Sequence, residues 1–151
     1  MKNKVFICLL ALMALVSFSS CRKSEPCKFN KATKFLEVRA SQWEFNNELR
    51  MYMCHFDVPE LTADVYENGE VSVLREYNTG SKNAYMVALP ETTYEEIALD
   101  NDDGTTSEYF FQQHIDYIFG IGYVEVFITI SDYYYDDFAP GNMLFKLQLT
   151  W

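Results

Sequence analysis

The last residues of the chain alternate between apolar and polar side chains with a period of two. One face of this segment holds Met143, Phe145, Leu147, Leu149 and Trp151. The other face holds Asn142, Lys146, Gln148 and Thr150, together with Leu144. Successive side chains of a strand point to opposite faces of a sheet. The segment therefore predicts a strand with one face buried in a core.

Similar alternation predicts strands through most of the chain from Lys34 onward. The expected strands are Phe35 to Phe45, Glu48 to Asp57, Glu70 to Tyr77, Ala84 to Leu89, Tyr94 to Leu99, Ser107 to Ile118 and Tyr123 to Ser131. We expect the first two to be joined at Asn46 and Asn47, because asparagine tolerates the positive φ of a tight hairpin turn. Turn signals roughly every eight to twelve residues predict an all-β fold, an antiparallel β-sandwich of about seven or more strands. A closed β-barrel is the alternative.

One short helix is expected within this pattern, from about Pro59 to Glu67. Asp57 has the character of an N-cap, and Pro59 and Glu60 suit the first helical turn. Asn68 and Gly69 then supply a stop signal.

The N-terminus has the three-part layout of a secretory signal peptide. Lys2 and Lys4 precede the apolar run from Val5 to Val16, and Ser17, Phe18, Ser19 and Ser20 then lead to Cys21. As a helix, that run would extend about 18 Å, which is less than the roughly 30 Å core of a bilayer. We therefore expect residues 1–20 to be a cleaved signal peptide.

The segment Phe18-Ser19-Ser20-Cys21 resembles the lipobox of bacterial lipoprotein signal peptides, although Phe18 replaces the usual leucine. The resemblance implies cleavage before Cys21 and attachment of diacylglycerol to its thiol. A multiply acylated cysteine would hold the chain stably to a membrane, because stable anchoring takes two or more lipid chains. Ordinary secretion with a free Cys21 is the alternative.

Charge divides the remaining chain into two parts. Residues 22–39 hold six basic side chains against two acidic ones, whereas residues 40–151 hold four against twenty. We predict a lipidated cysteine and basic tether over residues 21–33, followed by an acidic domain over residues 34–151. Because nucleic acid is also negatively charged, such an acidic domain is expected to bind it poorly. The tether either lies against an anionic leaflet or is a solvated linker.

Two cysteines, Cys27 and Cys54, remain once the signal peptide is removed and Cys21 is lipidated. Export permits a disulfide between them, and closing this loop would add roughly 3.5 kcal/mol of stability. Alternatively, Cys27 is a free thiol in the tether and Cys54 is a small buried apolar residue. Cys54 and the adjacent His55 do not indicate a thiol enzyme, because neighbours on a strand point to opposite faces.

Five segments resemble a group of small lipoproteins of gut-type Bacteroidota: Trp43, Val58 to Thr62, Gly69 to Val73, Leu89-Pro90 and Phe145 to Trp151. The resemblance spans most of the mature chain. It implies a lipid-anchored location and a β-rich domain, and it leaves function open. In that phylum, export to the cell surface is associated with acidic residues just after the lipidated cysteine. Arg22-Lys23-Ser24-Glu25 departs from that pattern, so we expect the periplasmic face of the outer membrane.

Motifs for hydrolysis and calcium binding are not found. No serine lies in the Gly-x-Ser-x-Gly setting of a nucleophile elbow. The acidic run Asp100 to Gly104 fails the EF-hand spacing, because Leu99 and Phe110 would occupy its first and twelfth positions. Asp103-Gly104 instead predicts a hairpin turn, with irregular weak calcium binding as the alternative.

The two histidines each precede an aspartate by two residues, so each pair shares one face of its strand. The pairs are His55 with Asp57 and His114 with Asp116. Such a pair can orient an imidazole for base or metal chemistry, but an exposed pair is more often a surface ion pair. We predict no cofactor, no metal and no catalytic residue.

The segment Asp132 to Phe138 combines three tyrosines, Tyr133, Tyr134 and Tyr135, with the carboxylates of Asp136 and Asp137. Three consecutive rings cannot all face one core, so we expect at least one to be exposed. Aromatic faces stack on sugar C–H groups while carboxylates accept from hydroxyls, and exposed tyrosine is also favoured at protein interfaces. A glycan or an envelope protein is therefore the expected ligand, unless the rings simply cap the domain.

Together these observations predict a membrane-anchored, non-enzymatic binding or envelope-assembly module. The alternative is a carbohydrate-binding or carbohydrate-processing accessory protein, the latter of the glycosidase type that uses paired carboxylates.

Overall fold

The structure is a computed structural model that describes residues 29–100, 102–131 and 138–151, apart from the side chains of Ile97 and Leu99. The strands are β1 (Lys31–Val38), β2 (Glu44–Asn46), β3 (Met51–Asp57), β4 (Glu70–Tyr77), β5 (Tyr85–Ala88), β6 (Glu91–Asp100), β7 (Thr106–Gly120), β8 (Tyr123–Ile130) and β9 (Met143–Thr150). One helix, α1 (Ala63–Asn68), lies between β3 and β4, and a 3₁₀ turn spans Ala40–Gln42.

The strands form two separate antiparallel sheets, so the predicted antiparallel β-sandwich is confirmed. The four-stranded sheet has the order β1-β9-β4-β5, and the five-stranded sheet has the order β2-β3-β8-β7-β6. The strand pairs recorded within both sheets are antiparallel. The two sheets do not close into a barrel within the described residues.

The core lies between the sheets and is built from the alternating faces that the sequence predicted. In β9, Phe145 and Leu147 are fully buried, and in β8 the same holds for Val124, Val126 and Ile128. Each such side chain stabilises the fold by about 1.5 to 3 kcal/mol relative to an exposed position. The buried faces of β8 and β9 are therefore what hold the two layers together.

The predicted strand from Phe35 to Phe45 is wrong, because the chain changes sheets within it. β1 pairs with β9 in the four-stranded sheet, whereas β2 pairs with β3 in the five-stranded sheet. The crossing is made by the 3₁₀ turn, where the Arg39 amide donates to Gln42 Oε1 at 2.9 Å. Trp43 follows the turn and its indole donates to the Gly141 carbonyl at 3.1 Å.

The predicted Asn46-Asn47 turn is longer than expected, and β3 begins only at Met51. Residues 47–50 form the loop, and Asn46 Oδ1 accepts from the amides of Glu48 and Leu49 at 3.0 Å each. The positive φ lies at Arg50, at 53°. The asparagine side chain therefore stabilises the loop through hydrogen bonds rather than by adopting a left-handed conformation itself.

The predicted helix start at Pro59 is wrong, because α1 begins at Ala63 with Thr62 as its N-cap. Backbone groups before Thr62 are bonded elsewhere: the Val58 amide donates to the Gly122 carbonyl at 2.7 Å, and the Gly122 amide donates to the Leu61 carbonyl at 2.8 Å. These bonds to the β7–β8 turn require a non-helical backbone over residues 58–61. Tertiary contacts thus override the local helix signal.

The sandwich has two distinct ends. At the first, which we call the tether end, β1 begins and β9 finishes, and Asn30 and Trp151 exchange backbone hydrogen bonds of 2.7 and 3.1 Å. β1 starts at Lys31, so residues 31–33, which the sequence analysis assigns to the tether, belong to the four-stranded sheet.

Among the described residues, no helix has the length and apolar character needed to cross a bilayer.

The opposite end, which we call the far end, carries an extension of the β6–β7 hairpin. β6 pairs with β7 as far as Asp100 and Thr106, whereas the β7–β8 pairing starts only at Gln113. Residues 94–100 and 106–112 therefore continue beyond β8 as a two-stranded ribbon, which we call the arm. At 3.2 to 3.4 Å per residue, the arm extends about 23 Å.

Candidate functional site

The outer face of the arm exposes two large aromatic rings. Tyr94 is 77% exposed and Phe110 is 66% exposed. In the β6–β7 register, Tyr94 lies opposite Gln112 and Glu96 lies opposite Phe110, so the two rings are diagonal neighbours on one face. Diagonal neighbours of this kind have Cβ atoms about 7 to 8 Å apart. The rings therefore form a single aromatic surface on the arm.

Polar side chains that accept or donate hydrogen bonds surround these rings. Gln112 Nε2 donates to the Tyr94 hydroxyl at 3.3 Å. The carboxylates of Glu96 and Glu108 lie on the same face, and both residues are exposed. The chain has no lysine or arginine between residues 83 and 145, so the potential around the arm is negative. A ligand here meets aromatic faces bordered by hydrogen-bond acceptors.

The base of the arm is attached to the core by the opposite face of β7. Phe111 is 3% exposed, and its ring packs edge-on against Phe138 with centroids 5.2 Å apart. The Gln112 amide donates to Ser131 Oγ at 2.8 Å. Because Phe111 faces inward, the alternation of the strand forces Phe110 outward. Burial of one aromatic ring thus determines the exposure of its neighbour.

The tip of the arm is the hairpin turn that the sequence predicted at Asp103-Gly104. Gly104 has a φ of 79°, a conformation that glycine adopts without strain. The Asp103 carboxylate accepts from the Thr105 amide at 3.0 Å and from its hydroxyl at 2.6 Å. These bonds favour the ionised carboxylate and lower the pKa of Asp103. Its charge thus stabilises the turn itself.

Both histidines form the pairs that their spacing predicted, and both are occupied by neighbours. His55 Nδ1 lies 3.1 Å from Glu125 Oε1 and Nε2 lies 3.6 Å from Asp57 Oδ1, while the ring stacks on Tyr123 at 5.4 Å. Each ring nitrogen of His55 therefore faces a carboxylate at the protein surface.

The second histidine repeats the arrangement on β7. His114 Nδ1 lies 3.0 Å from Thr92 Oγ1, and Nε2 lies 3.9 Å from Asp116 Oδ2. Across the described part of the chain, no three His, Cys, Asp or Glu side chains are arranged to hold a metal ion. The two described histidine–aspartate pairs are therefore surface contacts, and neither forms a recognisable metal site.

An open groove of about 510 Å³ runs beside His55 on the outer face of the five-stranded sheet. Its lining consists of Gln42, Glu44, Asn46, Met53, Cys54, His55 and Glu125. It contains two carboxylates but no Phe, Tyr or Trp side chain. Cys54 itself is 6% exposed and points into the core, on the face opposite His55, as the strand pattern predicted. Burial raises the pKa of the Cys54 thiol, which disfavours the reactive thiolate.

Most of the site residues predicted from the sequence lie outside the described residues. This applies to Cys21, to Cys27 and to the whole segment Tyr133 to Asp137, so lipidation, the Cys27–Cys54 disulfide and the tyrosine surface remain predictions. The residues that flank the tyrosine segment are described. Ser131 and Phe138 both contact the base of the arm at Gln112 and Phe111. Both flanking residues, Ser131 and Phe138, therefore lie at the far end of the sandwich.

Sequence reasoning missed the aromatic pair on the arm, although one signal for it was present. Phe110 has the same parity in β7 as Glu108 and Gln112, so the alternation assigned it to the polar face. A single phenylalanine on a polar face is common, and it indicates an interaction surface only when a second exposed ring lies beside it. Its pairing with Tyr94 depends on the register between strands, which the alternation does not reveal.

No family model matches the chain, and no curated protein or solved structure shows significant similarity to it.

Proposed function

We propose that the chain is a lipid-anchored, non-enzymatic binding protein of the cell envelope that presents the arm to its ligand. The observation that carries this proposal is the exposure of Tyr94 and Phe110 together on the arm. The arm projects from the far end of the sandwich, and the tether enters at the other end. A ligand site placed there would point away from the membrane that holds Cys21.

Exposure of both aromatic rings to water is unfavourable unless a ligand covers them. Burying a side chain of this size is worth about 1.5 to 3 kcal/mol, and nothing among the described residues covers either ring. Isolated exposed apolar residues are common, but adjacent rings bordered by polar groups are typical of interaction sites. The acidic surroundings, with Glu96 and Glu108 on the same face, would select among ligands by charge and hydrogen bonding.

A glycan is the ligand class that we favour. Sugar C–H groups stack on flat aromatic faces, and sugar hydroxyls donate to carboxylate and amide oxygens such as those of Glu96, Glu108 and Gln112. The predicted surface at Tyr133 to Asp137 has the same chemistry, and its flanking residues contact the base of the arm. Together they would form an extended aromatic and acidic surface.

An envelope protein is the second candidate ligand, and one specific observation favours it. β6 is the edge strand of the five-stranded sheet, and among the described residues it pairs with β7 alone. A partner strand that adds to β6 would gain main-chain hydrogen bonds along the arm. Glycoside hydrolysis is the less favoured alternative, because the groove beside His55 has carboxylates but no Phe, Tyr or Trp side chain to position a sugar.

The anchor is tested by labelling cells with a fatty acid and comparing the wild-type chain with Cys21→Ser. We expect the variant to lose the label and to appear in the soluble fraction, because acyl chains supply the membrane affinity. A Cys21→Ser variant that stays fully membrane-bound would contradict lipid anchoring. Separation of inner and outer membranes tests the predicted location of the wild-type chain.

The ligand surface is tested on a glycan array with the soluble mature domain carrying Cys21→Ser. Binding is expected for the unchanged surface and should be lost in Tyr94→Ala/Phe110→Ala. The matched control is Phe35→Ala, which removes a ring that is 57% exposed on the outer face of the four-stranded sheet.

Three further changes, Tyr133→Ala, Tyr134→Ala and Tyr135→Ala, test the neighbouring segment in the same assay. Equal binding by the arm variant and the unchanged protein would exclude the arm as the glycan site. If no glycan binds, crosslinking at Tyr94 replaced by a photoreactive residue distinguishes an envelope-protein ligand from an arm without a partner.

A further inference from the structure

The tether end of the sandwich exposes a second group of apolar side chains, remote from the arm. Phe29 is 65% exposed, Ile121 is 60% exposed, Tyr66 is 49% exposed and Phe119 is 36% exposed. They come from four different places in the chain: the entry to β1, the β7–β8 turn, α1 and the end of β7. The tertiary fold brings these four side chains to the same end of the sandwich.

Two of these side chains are in direct contact, and a third lies close to them in the chain. The rings of Tyr66 and Phe119 meet edge-on with centroids 5.9 Å apart. Ile121 follows Phe119 by two residues, in the turn that is hydrogen-bonded to Val58 and Leu61.

Trp151 connects this group to the entry of the chain. A Cβ added at Gly69, directly after α1, would lie 3.2 Å from the Trp151 Cβ. Asn30 is bonded to Trp151 through both of its backbone groups, so Phe29 lies beside the same end. We call the exposed Phe29, Tyr66, Phe119 and Ile121, together with the half-buried Trp151 beside them, the aromatic end.

We propose that the aromatic end docks onto the surface of the bilayer to which Cys21 is attached. This inference rests on the lipid anchor of the proposed function and adds a second, direct membrane contact by the folded domain. The occupant of the surface is the lipid interface itself. Tyrosine and tryptophan are enriched at that interface because their rings are apolar and their polar groups stay hydrated.

The length of the tether supports this occupant over any other. Eight residue steps separate Cys21 from Phe29, and at 3.3 to 3.6 Å per residue they reach at most about 29 Å. In a lipid-anchored chain, Phe29 would therefore stay within that distance of Cys21, and the rest of the aromatic end would stay close to the bilayer. Such confinement gives the intramolecular contact a high effective concentration, so even a weak interfacial preference would be satisfied.

The charges at the tether end allow docking through apolar contacts to be distinguished from docking through electrostatic attraction. Glu60, Asp64, Glu67 and Glu70 surround the aromatic end, against Lys31 and Lys34. An anionic leaflet would repel this excess of carboxylates. We therefore expect docking on zwitterionic lipid, with little dependence on salt. Contact made by the basic tether alone would instead strengthen with anionic lipid and weaken with salt.

Docking would also orient the domain. The arm leaves the sandwich at the end opposite Phe29 and Trp151, so a domain that rests on its aromatic end directs Tyr94 and Phe110 away from the bilayer. A domain that hangs freely on the tether would present the arm in every direction, including toward the membrane.

The chain contains two tryptophans, one at each end of the sandwich, and they serve as depth reporters. The acylated full-length mature protein is incorporated into phosphatidylcholine vesicles with bromine atoms on the acyl chains. Trp43→Phe leaves Trp151 as the reporter at the tether end. Trp151→Phe leaves Trp43, which is bonded to Gly141 at the far end. We expect the lipid bromines to quench Trp151 fluorescence and to leave Trp43 unquenched.

Two further variants, made in the Trp43→Phe background, identify the surface responsible. Phe29→Ser/Ile121→Ser should lose the quenching of Trp151 while keeping the protein in the membrane fraction. Phe110→Ser, which removes an equally exposed ring from the arm, is the matched control and should keep the quenching. Circular dichroism of each variant confirms that the β-sandwich is intact.

Each of the remaining outcomes would contradict the docking proposal. Mass spectrometry of the same sample reads acylation of Cys21 separately, and its absence would overturn the anchor and the docking together. Acylated protein with unquenched Trp151, or quenching that survives Phe29→Ser/Ile121→Ser, would overturn the docking alone. Crosslinked dimers through Ile121, without quenching, would assign the surface to a second copy of the chain.

Discussion

The one strongly buried carboxylate among the described residues offers the most decisive test of how the two sheets are joined. Glu91 opens β6 in the five-stranded sheet and its side chain is 6% exposed. Arg75 of β4, in the four-stranded sheet, donates to Glu91 Oε1 at 2.9 Å with its own side chain 14% exposed. The Tyr77 hydroxyl donates to the same oxygen at 2.8 Å. One carboxylate therefore links both layers.

Replacing Glu91 by alanine would leave two donors of this cluster without their acceptor. The Arg75 guanidinium lies 4.3 Å above the Tyr77 ring, so Arg75 keeps only that cation–π contact. Removing one partner of a buried ion pair typically costs 3 to 5 kcal/mol, because the remaining charge stays desolvated. Domains of this size unfold with about 5 to 15 kcal/mol. We therefore expect Glu91→Ala to remove about 3 to 5 kcal/mol, a large share of the total.

The assay is urea unfolding of the soluble mature domain. Tryptophan fluorescence and circular dichroism monitor the transition. The matched control is Glu60→Ala, since Glu60 pairs with Lys34 at 3.8 Å with the two side chains 49% and 40% exposed. Exposed pairs contribute about 0 to 1 kcal/mol, so the control should shift the free energy of unfolding by no more than that.

A double variant, Arg75→Met/Glu91→Leu, tests the cause of the destabilisation. Apolar side chains of similar volume are often as stable as the buried pair that they replace. We expect the double variant to regain most of the stability lost in Glu91→Ala. Equal effects of Glu91→Ala and Glu60→Ala would refute the view that the cluster is a desolvated link between the sheets.

Two further predictions concern single positions. Gly122→Ala should lower the free energy of unfolding by about 1 to 2 kcal/mol because Gly122 has a φ of 86°. Gly141→Ala, whose added Cβ also meets no atom within 4 Å, should stay within about 0.5 kcal/mol of the unchanged chain in the same urea assay. Burial and the hydrogen bond to Glu91 raise the pKa of Tyr77 above its ordinary value of 10.0, so the folded state holds a proton that the unfolded state releases. Stability should therefore fall as the pH rises above 10, and Tyr77→Phe should reduce that slope in unfolding curves measured across alkaline pH; an unchanged slope would contradict this linkage.

The sequence alone predicted the class of fold and the faces of its main strands. The alternation in Met143 to Trp151 and in Tyr123 to Ser131 identified the buried side chains of β9 and β8 correctly. It also placed Cys54 and His55 on opposite faces and paired each histidine with its aspartate. These are consequences of the two-residue period of a strand, which is a local property of the backbone. The Asp103-Gly104 turn was predictable because the preference of Asp-Gly for a hairpin turn is also a local property.

Other features were decided only by tertiary structure. The helix begins at Ala63 rather than Pro59 because the backbone of Val58 and Leu61 is bonded to Gly122, which is distant in sequence. The 3₁₀ turn interrupts a predicted strand because the chain must pass from one sheet to the other. A local pattern contains no information on which distant segment will satisfy a given backbone group.

Both proposed surfaces belong to this second class. Tyr94 and Phe110 become neighbours only through the register of β6 and β7, and the aromatic end unites Phe29, Tyr66 and Ile121 from three distant segments. The alternation determined which side of a strand each residue faces. Strand pairing and the order of strands in the two sheets then decided which of these residues meet, because those depend on contacts between remote parts of the chain.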